Sequence, residues 1–198
     1  MRALLLALAL LAMAAPARAI DRFTQADGAY FVDAPQGAVR FAASGFVCPA
    51  AAGGLQRADL LLVDPADGGR DLGCRLFKDG DKTWISVFVT RYDDGRPAQA
   101  QFDTHVSEAT SVTPPAPGSA DLAAPLAPGA PPLPSHGRFW QDEEGLGQGV
   151  WLCRVGRWYV EVRATVAQGD EAAVGEAAEL IFRSAYRTIH DEVALAAP

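Results

Sequence analysis

The chain contains three cysteines, Cys48, Cys74 and Cys153, and a cysteine thiolate is both a nucleophile and a metal ligand. Cys153 lies between two tryptophans in the stretch GVWLCRVGRWYVEVRATV, residues 149–166. A reactive thiol, one half of a disulfide and a small apolar core residue are the three alternatives for it. Nucleophilic catalysis needs a neighbouring base, and the sequence around Cys153 supplies none.

Hairpin geometry assigns Cys153 to one face of a sheet. With Gly156 and Arg157 as the two turn residues, Cys153 faces Val160 across the ladder. Because side chains alternate along a strand, one face is apolar and carries Trp151, Cys153, Val155, Trp158, Val160 and Val162. The sequence therefore predicts that Cys153 lies in the core, where burial disfavours the thiolate.

The other two cysteines flank a second hairpin. An Asp79–Gly80 turn places Cys74 opposite Ile85, on a face that also points to the core. Cys48 and Cys74 are close enough in sequence to lie on adjacent strands, and we predict a disulfide between them, worth about 3 kcal/mol. A Cys74–Cys153 bond and three reduced thiols are the alternatives.

The remaining residues that could do chemistry form no recognisable motif. No two of His105, His136 and His190 have metal-ligand spacing. Asp64–Asp71 carries enough charge to hold calcium, but its spacing differs from an EF-hand loop and is typical of turns. Gly145–Gly149 precedes a strand, whereas a dinucleotide fingerprint joins a strand to a helix. We expect no catalytic residue, no metal site and no cofactor.

The N-terminus predicts export. Arg2 precedes an unbroken apolar run, Ala3–Ala15, and Pro16 is followed by the small residues of a signal-peptidase site, Ala17–Ala19. Residues 1–19 are the predicted signal peptide. The apolar run is shorter than the roughly 20 residues that span a bilayer, so a membrane anchor is disfavoured. We expect a soluble protein in the periplasm or secreted.

The charge of the chain excludes some partners. Without residues 1–19, which contain Arg2 and Arg18, 15 basic residues remain against 24 acidic ones, a net charge near −9. Nucleic acids and anionic lipid surfaces require clustered Lys and Arg. The sequence therefore predicts neither as a partner, and no membrane span.

Two strand pairs are each followed by a helix. Residues 72–77 and 83–92 form the first predicted hairpin, and Ala98, Phe102, Val106 and Ala109 recur at helical spacing after it. The second hairpin precedes a more amphipathic helix, residues 170–187. Between the two units, residues 113–136 hold eight of the chain's 14 prolines, which predicts a flexible loop without regular structure.

These elements predict an α+β fold in residues 20–198, a single domain with helices packed on one face of an antiparallel sheet. The two hairpin–helix units fit an internal ββα duplication, or a chance similarity between two common motifs. The order of strands, hairpin and C-terminal helix resembles the PsbP-like superfamily, and cystatin-like and other curved sheets share it. Because this resemblance rests on element order, it transfers no functional residue.

The sequence leaves the function open. A purely structural or stress-related envelope protein with no ligand is one possibility, beside two classes that a structure can distinguish. A non-catalytic binding or envelope-accessory module, with a protein, peptide or small ligand as partner, fits the export signal and the missing catalytic motif. A periplasmic enzyme of the hydrolase type, with a site assembled only in the fold, is the alternative. A deep pocket with converging polar groups distinguishes the two.

Overall fold

The structure, a computed structural model, describes residues 30–63, 68–78 and 82–189. Within these ranges the chain forms ten strands and two α-helices. The strands are β1 (Phe31–Asp33), β2 (Val39–Phe41), β3 (Val47–Cys48), β4 (Ala51–Ala52), β5 (Leu55–Leu62), β6 (Asp71–Phe77), β7 (Trp84–Arg91), β8 (His136–Gln141), β9 (Gly147–Val155) and β10 (Trp158–Val166). The helices are α1 (Ala98–Val112) and α2 (Glu171–Thr188).

Antiparallel pairing dominates the molecule. Seven strands form one sheet in the order β4-β5-β6-β7-β10-β9-β8, and β1, β2 and β3 form a second, smaller sheet. This arrangement confirms the predicted α+β class with an antiparallel sheet. The predicted signal peptide, the Asp79–Gly80 turn, the first part of the Asp64–Asp71 segment and His190 lie outside the described residues.

The β9–β10 hairpin has the predicted register. Cys153 pairs with Val160 and Trp151 with Val162, so the turn falls at Gly156–Arg157. The apolar face of this hairpin packs against α2, whose buried side chains include Ile181 and Phe182. Apolar residues at helical spacing in α2 therefore meet apolar residues at strand spacing, and these two patterns create the core.

The register of the β6–β7 hairpin is shifted by two residues from the predicted one. Cys74 lies opposite Val87, not Ile85. The backbone amide of Lys78 donates to the carbonyl of Thr83, so the connection has four residues, 79–82, and not two. A shift of two residues keeps each side chain on its face, which is why Cys74 still points to the core.

The two helices lie on opposite faces of the large sheet, whereas the sequence placed both on one face. α2 covers the apolar face, and α1 contacts the face that carries Glu161 and Arg163. The buried residues of α1 are polar, Gln101 and His105, because the surface that it meets is polar. Both ββα units are present. A twofold axis perpendicular to the sheet would place both helices on the same face, so the two units are not related by such an axis.

Residues 113–135 form no helix and no strand, as their prolines require, and His136 begins β8. The segment nevertheless makes contacts along its length, through a bridge between Pro115 and Asp142 and a hydrogen bond from the amide of Leu122 to the carbonyl of Phe139. Leu126 is buried in the core. These contacts place the segment against the sheet, and its flexibility stays a prediction.

Candidate functional site

The face of the large sheet opposite α2, here called the polar face, carries a row of arginines. Neighbouring strands place Arg75 beside Ser86, and Ser86 beside Arg163. The row continues through Val150 to Arg138. Strand alternation causes this arrangement, because each of these residues occupies the position in its strand that points away from the core.

A groove lies between the C-terminal half of α1 and the polar face, and it is called the α1 groove below. Its volume is about 350 Å³, within the range of small-molecule sites. It is lined by Arg75, Trp84, Ser86, Phe88, Ala109, Val112, Thr113, Trp140, Gln148, Gly149, Val150, Arg163, Ala164 and Thr165. Strands β7, β10, β9, β8 and β6 form its floor, and α1 forms one wall.

Aromatic side chains line much of the α1 groove. Trp84 and Phe88 are half-buried on β7, and Trp140 is buried on β8 with its indole nitrogen donating a 3.1 Å hydrogen bond to the carbonyl of Thr113. Val112, at the end of α1, is 84% exposed on the rim. A surface of this kind offers apolar contact to a ligand and keeps an apolar side chain in water when no ligand is bound.

The polar groups of the floor differ in how far they are already satisfied. Gln148 accepts a 3.0 Å hydrogen bond from Thr165 and donates one of 2.7 Å to Asp142. Arg75 donates to Ser86 Oγ at 3.2 Å, and its nearest carboxylate, Asp59, is 3.9 Å away. Since that distance exceeds a hydrogen bond, Arg75 has donors that no described residue fills.

A second cavity of about 320 Å³ adjoins the groove and contains the strongest cluster of titratable groups. His105 Nδ1 lies 3.3 Å from Glu161 Oε2, and His105 Nε2 lies 3.3 Å from the hydroxyl of Tyr92. Arg163 donates to Glu161 at 2.5 Å and reaches Glu108 at 3.3 Å. The cluster joins α1 to β10 through a nearly buried carboxylate.

This cluster has the layout of a catalytic relay, with a carboxylate, a histidine and a hydroxyl in line. The hydroxyl is a phenol, however, and burial together with the Asp71 and Glu161 carboxylates raises the pKa of Tyr92 to about 12. A nucleophile needs a lowered pKa or a base that removes its proton easily, and this phenol is shifted in the wrong direction. The arrangement is suited to anchoring α1.

The Glu161 carboxylate has Arg163 and His105 as neighbours, and Arg163 forms the closer contact. Burial lowers the pKa of Arg163, but the Glu161 and Glu108 carboxylates together outweigh burial and the net shift is upward. The Arg163 guanidinium also lies 5.7 Å from the centroid of the Phe88 ring. Arg163 is therefore held firmly by partners on three sides, in contrast to Arg75.

The predicted Cys48–Cys74 disulfide and the predicted buried thiol are present, although Cys48 lies on β3 of the small sheet and Cys74 on β6 of the large one, and not on adjacent strands. Cys48 and Cys74 form a disulfide whose Cα atoms are 6.7 Å apart, and both are buried. Cys153 is a free, buried thiol, and burial raises its pKa to about 12 despite a hydrogen bond from Tyr186. None of the three cysteines lines either cavity.

Of the three histidines and the candidate calcium segment, the structure describes His105, His136 and residues 68–71, and it places His105 and Asp71 in the lining of the second cavity. His136 stacks on Phe102 with ring centroids 5.4 Å apart, and His105 belongs to the cluster above. Asp71 accepts a 2.8 Å hydrogen bond from Thr90. Among the described residues, no three His, Cys, Asp or Glu side chains are placed to hold a metal ion.

Apart from His105 and Asp71, which line the second cavity, the polar residues of the two cavities were not singled out from the sequence. Arg75, Glu161 and Arg163 each alternate with apolar residues along a strand, which is the ordinary pattern of a solvated face. Only the order of the strands in the sheet brings them together. The one available signal was the concentration of aromatic residues on the strands that form the groove, which favours the core by default.

No helix within the described ranges combines the length and the apolar character needed to cross a membrane. Comparison of the chain with protein-family models, with curated proteins and with solved structures gives no match.

Proposed function

We propose that this protein is an exported, non-catalytic binding module that takes a small ligand into the α1 groove. The observation that carries the proposal is the groove itself, an aromatic-lined cavity of about 350 Å³ on a face of the sheet that is otherwise polar. Binding sites for small molecules combine apolar walls with a few polar groups that fix orientation. The α1 groove has this composition.

Two observations support export to the periplasm or outside the cell. Residues 1–19 have the pattern of a signal peptide. The Cys48–Cys74 disulfide is a second support, because disulfides persist in oxidising compartments and are rare in the cytosol. An envelope-accessory role, with a protein or peptide in the same groove, belongs to this proposal.

A periplasmic hydrolase is the second candidate, and the 3.3 Å contact between His105 and Glu161 is what favours it. The raised pKa of Tyr92 counts against it, since the group that faces His105 is a poor nucleophile. In this alternative, water would have to occupy the cavity beside His105 and act as the nucleophile. We therefore place binding ahead of catalysis.

The test is a ligand-observed NMR screen of small apolar and aromatic fragments against residues 20–198 and two variants. Ala109→Phe fills the groove from α1, while Ser107→Phe places the same side chain on the exposed side of the same helix. We expect fragments that bind the unsubstituted protein and Ser107→Phe but not Ala109→Phe. Equal binding to both variants, or no bound fragment, contradicts the proposal.

The hydrolase candidate is tested separately with a panel of chromogenic ester, phosphate and glycoside substrates. Hydrolysis that disappears in Glu161→Gln, while the variant keeps its circular dichroism spectrum, would establish the alternative. Activity unchanged in Glu161→Gln would exclude His105 and Glu161 as its source.

A further inference from the structure

We infer that the ligand of the α1 groove is a small carboxylic acid with an apolar body, and that Arg75 binds its carboxylate. This inference rests on the proposed function and names its substrate class. Four features of the groove carry it: its local charge, the unfilled donors of Arg75, the aromatic surface beside Arg75 and the orientation of α1.

The charge of the groove is opposite to that of the protein. Acidic residues outnumber basic ones in the whole chain, 24 to 17. Among the described residues that line the groove, two are arginines and none is Asp or Glu. A positive patch enclosed by low-dielectric aromatic walls attracts an anion, and the surrounding negative surface adds selectivity for that one location.

Arg75 is the arginine of the row that is able to accept a new partner. Arg163 is bound to Glu161 and Glu108, and Arg138 to Asp121 at 3.0 Å. Arg75 uses its Nε for Ser86, and its Nη1 lies 3.9 Å from the half-exposed Asp59 carboxylate, beyond hydrogen-bond distance, so the outer edge of the guanidinium, with 38% of the side chain exposed, has hydrogen-bond donors to offer a ligand. That edge presents two parallel N–H donors, the geometry that a carboxylate accepts in a bidentate pair.

The surface beside Arg75 is apolar. Ser86, the cross-strand neighbour of Arg75, lies between Trp84 and Phe88 on the same face of β7. A carboxylate on Arg75 therefore has an aromatic ring on either side, and the floor continues from Trp84 toward Trp140. The exposed Val112 adds an apolar side chain to the rim of the groove. An apolar ligand body gains both burial and ring contacts here.

The orientation of α1 favours a single negative charge. Val112 and Thr113 bring the C-terminal end of the helix to the groove, and this end carries the partial negative charge of the helix dipole. A phosphate dianion would meet that charge with one available guanidinium to balance it. A carboxylate carries half the charge and matches one arginine.

Calorimetric titration with three matched probes tests the inference: 3-phenylpropanoate, its uncharged amide 3-phenylpropanamide, and phenyl phosphate. We expect the acid to bind at least about tenfold more tightly than the amide, the effect of one charge-assisted hydrogen-bonded pair. Phenyl phosphate should bind more weakly than the acid. Added salt should weaken the binding of the acid and leave the binding of the amide unchanged.

Two variants assign the effect to its residue. Arg75→Gln should bring acid and amide to the same affinity, and Arg138→Gln, in the same row but paired with Asp121, should leave the preference intact. Melting temperatures confirm that both variants are folded. If acid and amide bind equally and both lose binding in Ala109→Phe, the inference that the ligand is a carboxylic acid is wrong, but the groove remains a binding site. Failure of all three probes to bind at about 10 mM, ten times the weakest dissociation constant of the ordinary affinity scale, overturns both the carboxylate ligand and the groove as a binding site.

Discussion

The indole nitrogen of Trp151 donates a 2.8 Å hydrogen bond to the carbonyl oxygen of Leu126. Both residues are buried, and the bond joins the centre of β9 to the proline-rich segment. A second contact fixes the same segment from α2, where Gly175 approaches the carbonyl of Pro125. The segment therefore covers part of the core although it has no regular structure. Weakening its contacts should lower the free energy of unfolding.

Trp151→Phe should weaken the attachment of the proline-rich segment. The variant leaves the Leu126 carbonyl without its donor in an apolar site, which should lower the free energy of unfolding by about 2 kcal/mol. Digestion with proteinase K should cut within residues 113–136 faster in the variant than in the unsubstituted chain. Trp84→Phe, on the other face, is the matched control. Rapid cutting of the unsubstituted protein at this segment would contradict the contacts described.

Gly175→Ala should destabilise the protein, although alanine is the better helix former by about 1 kcal/mol. A Cβ at position 175 would lie 2.6 Å from the carbonyl oxygen of Pro125, too close for backbone to accept without a shift. We expect a lower melting temperature and faster proteolysis of residues 113–136. Glu176→Ala, at the next and exposed position of α2, controls for helix propensity. A more stable Gly175→Ala variant would refute this close contact.

Asp170 should contribute an acid-sensitive part of the stability. Hydrogen bonds from Lys78 and then Thr83 lower its pKa below the ordinary value of 3.8. A lowered carboxylate pKa stabilises the folded state above the unfolded pKa and loses that effect as pH falls through the folded value. Asp170→Asn should cost about 1 kcal/mol at pH 7, since water screens Lys78, and less below pH 4.

Urea unfolding at several pH values measures this dependence. The unfolding free energy of Asp170→Asn should approach that of the unsubstituted protein as the pH falls below about 4. Asp103→Asn, whose carboxylate meets only Gln99 on its own helix, should show no comparable change. Parallel curves for the unsubstituted protein and Asp170→Asn would rule out the predicted role of the carboxylate.

Local patterns predicted the parts of the fold that depend on local physics. The β9–β10 register follows from turn chemistry and period-two alternation, and both are written in residues 149–166. α2 follows from apolar residues at helical spacing. The β6–β7 register was two residues out because a two-residue turn was assumed where Lys78 and Thr83 close a four-residue connection.

The groove could not be predicted because it depends on long-range order. Arg75 and Arg163 share a row only because β7 lies between β6 and β10, an adjacency that no local signal contains. The placement of α1 failed for a related reason. Its spacing of Phe102 and Val106 suggested an apolar contact surface, but the helix buries Gln101 and His105 instead, and His105 lies 3.3 Å from Glu161.

Tyr92→Phe should reduce the loss of stability at alkaline pH. Burial and nearby carboxylates raise the pKa of Tyr92 to about 12, above the ordinary value of 10. A raised pKa means that the unfolded chain loses this proton first, so stability falls as the pH rises from 10 toward 12. The variant should unfold less readily in this interval, relative to its own stability at pH 8. An unchanged alkaline slope in denaturant titrations would contradict the assigned environment.

The free thiol of Cys153 should be chemically silent in the folded protein. With a pKa of about 12, on the order of one thiol in ten thousand is ionised at pH 8, and the site is closed to solvent. A thiol reagent should find none in the native protein and one per chain in concentrated guanidinium chloride without reductant. Cys153→Ala should give none in either state, and Cys48→Ala should give two after unfolding, from Cys74 and Cys153. Three thiols in the unreduced, unfolded protein would remove the Cys48–Cys74 disulfide from this account, and fast modification of the native protein would show that Cys153 is not enclosed by β10 and α2.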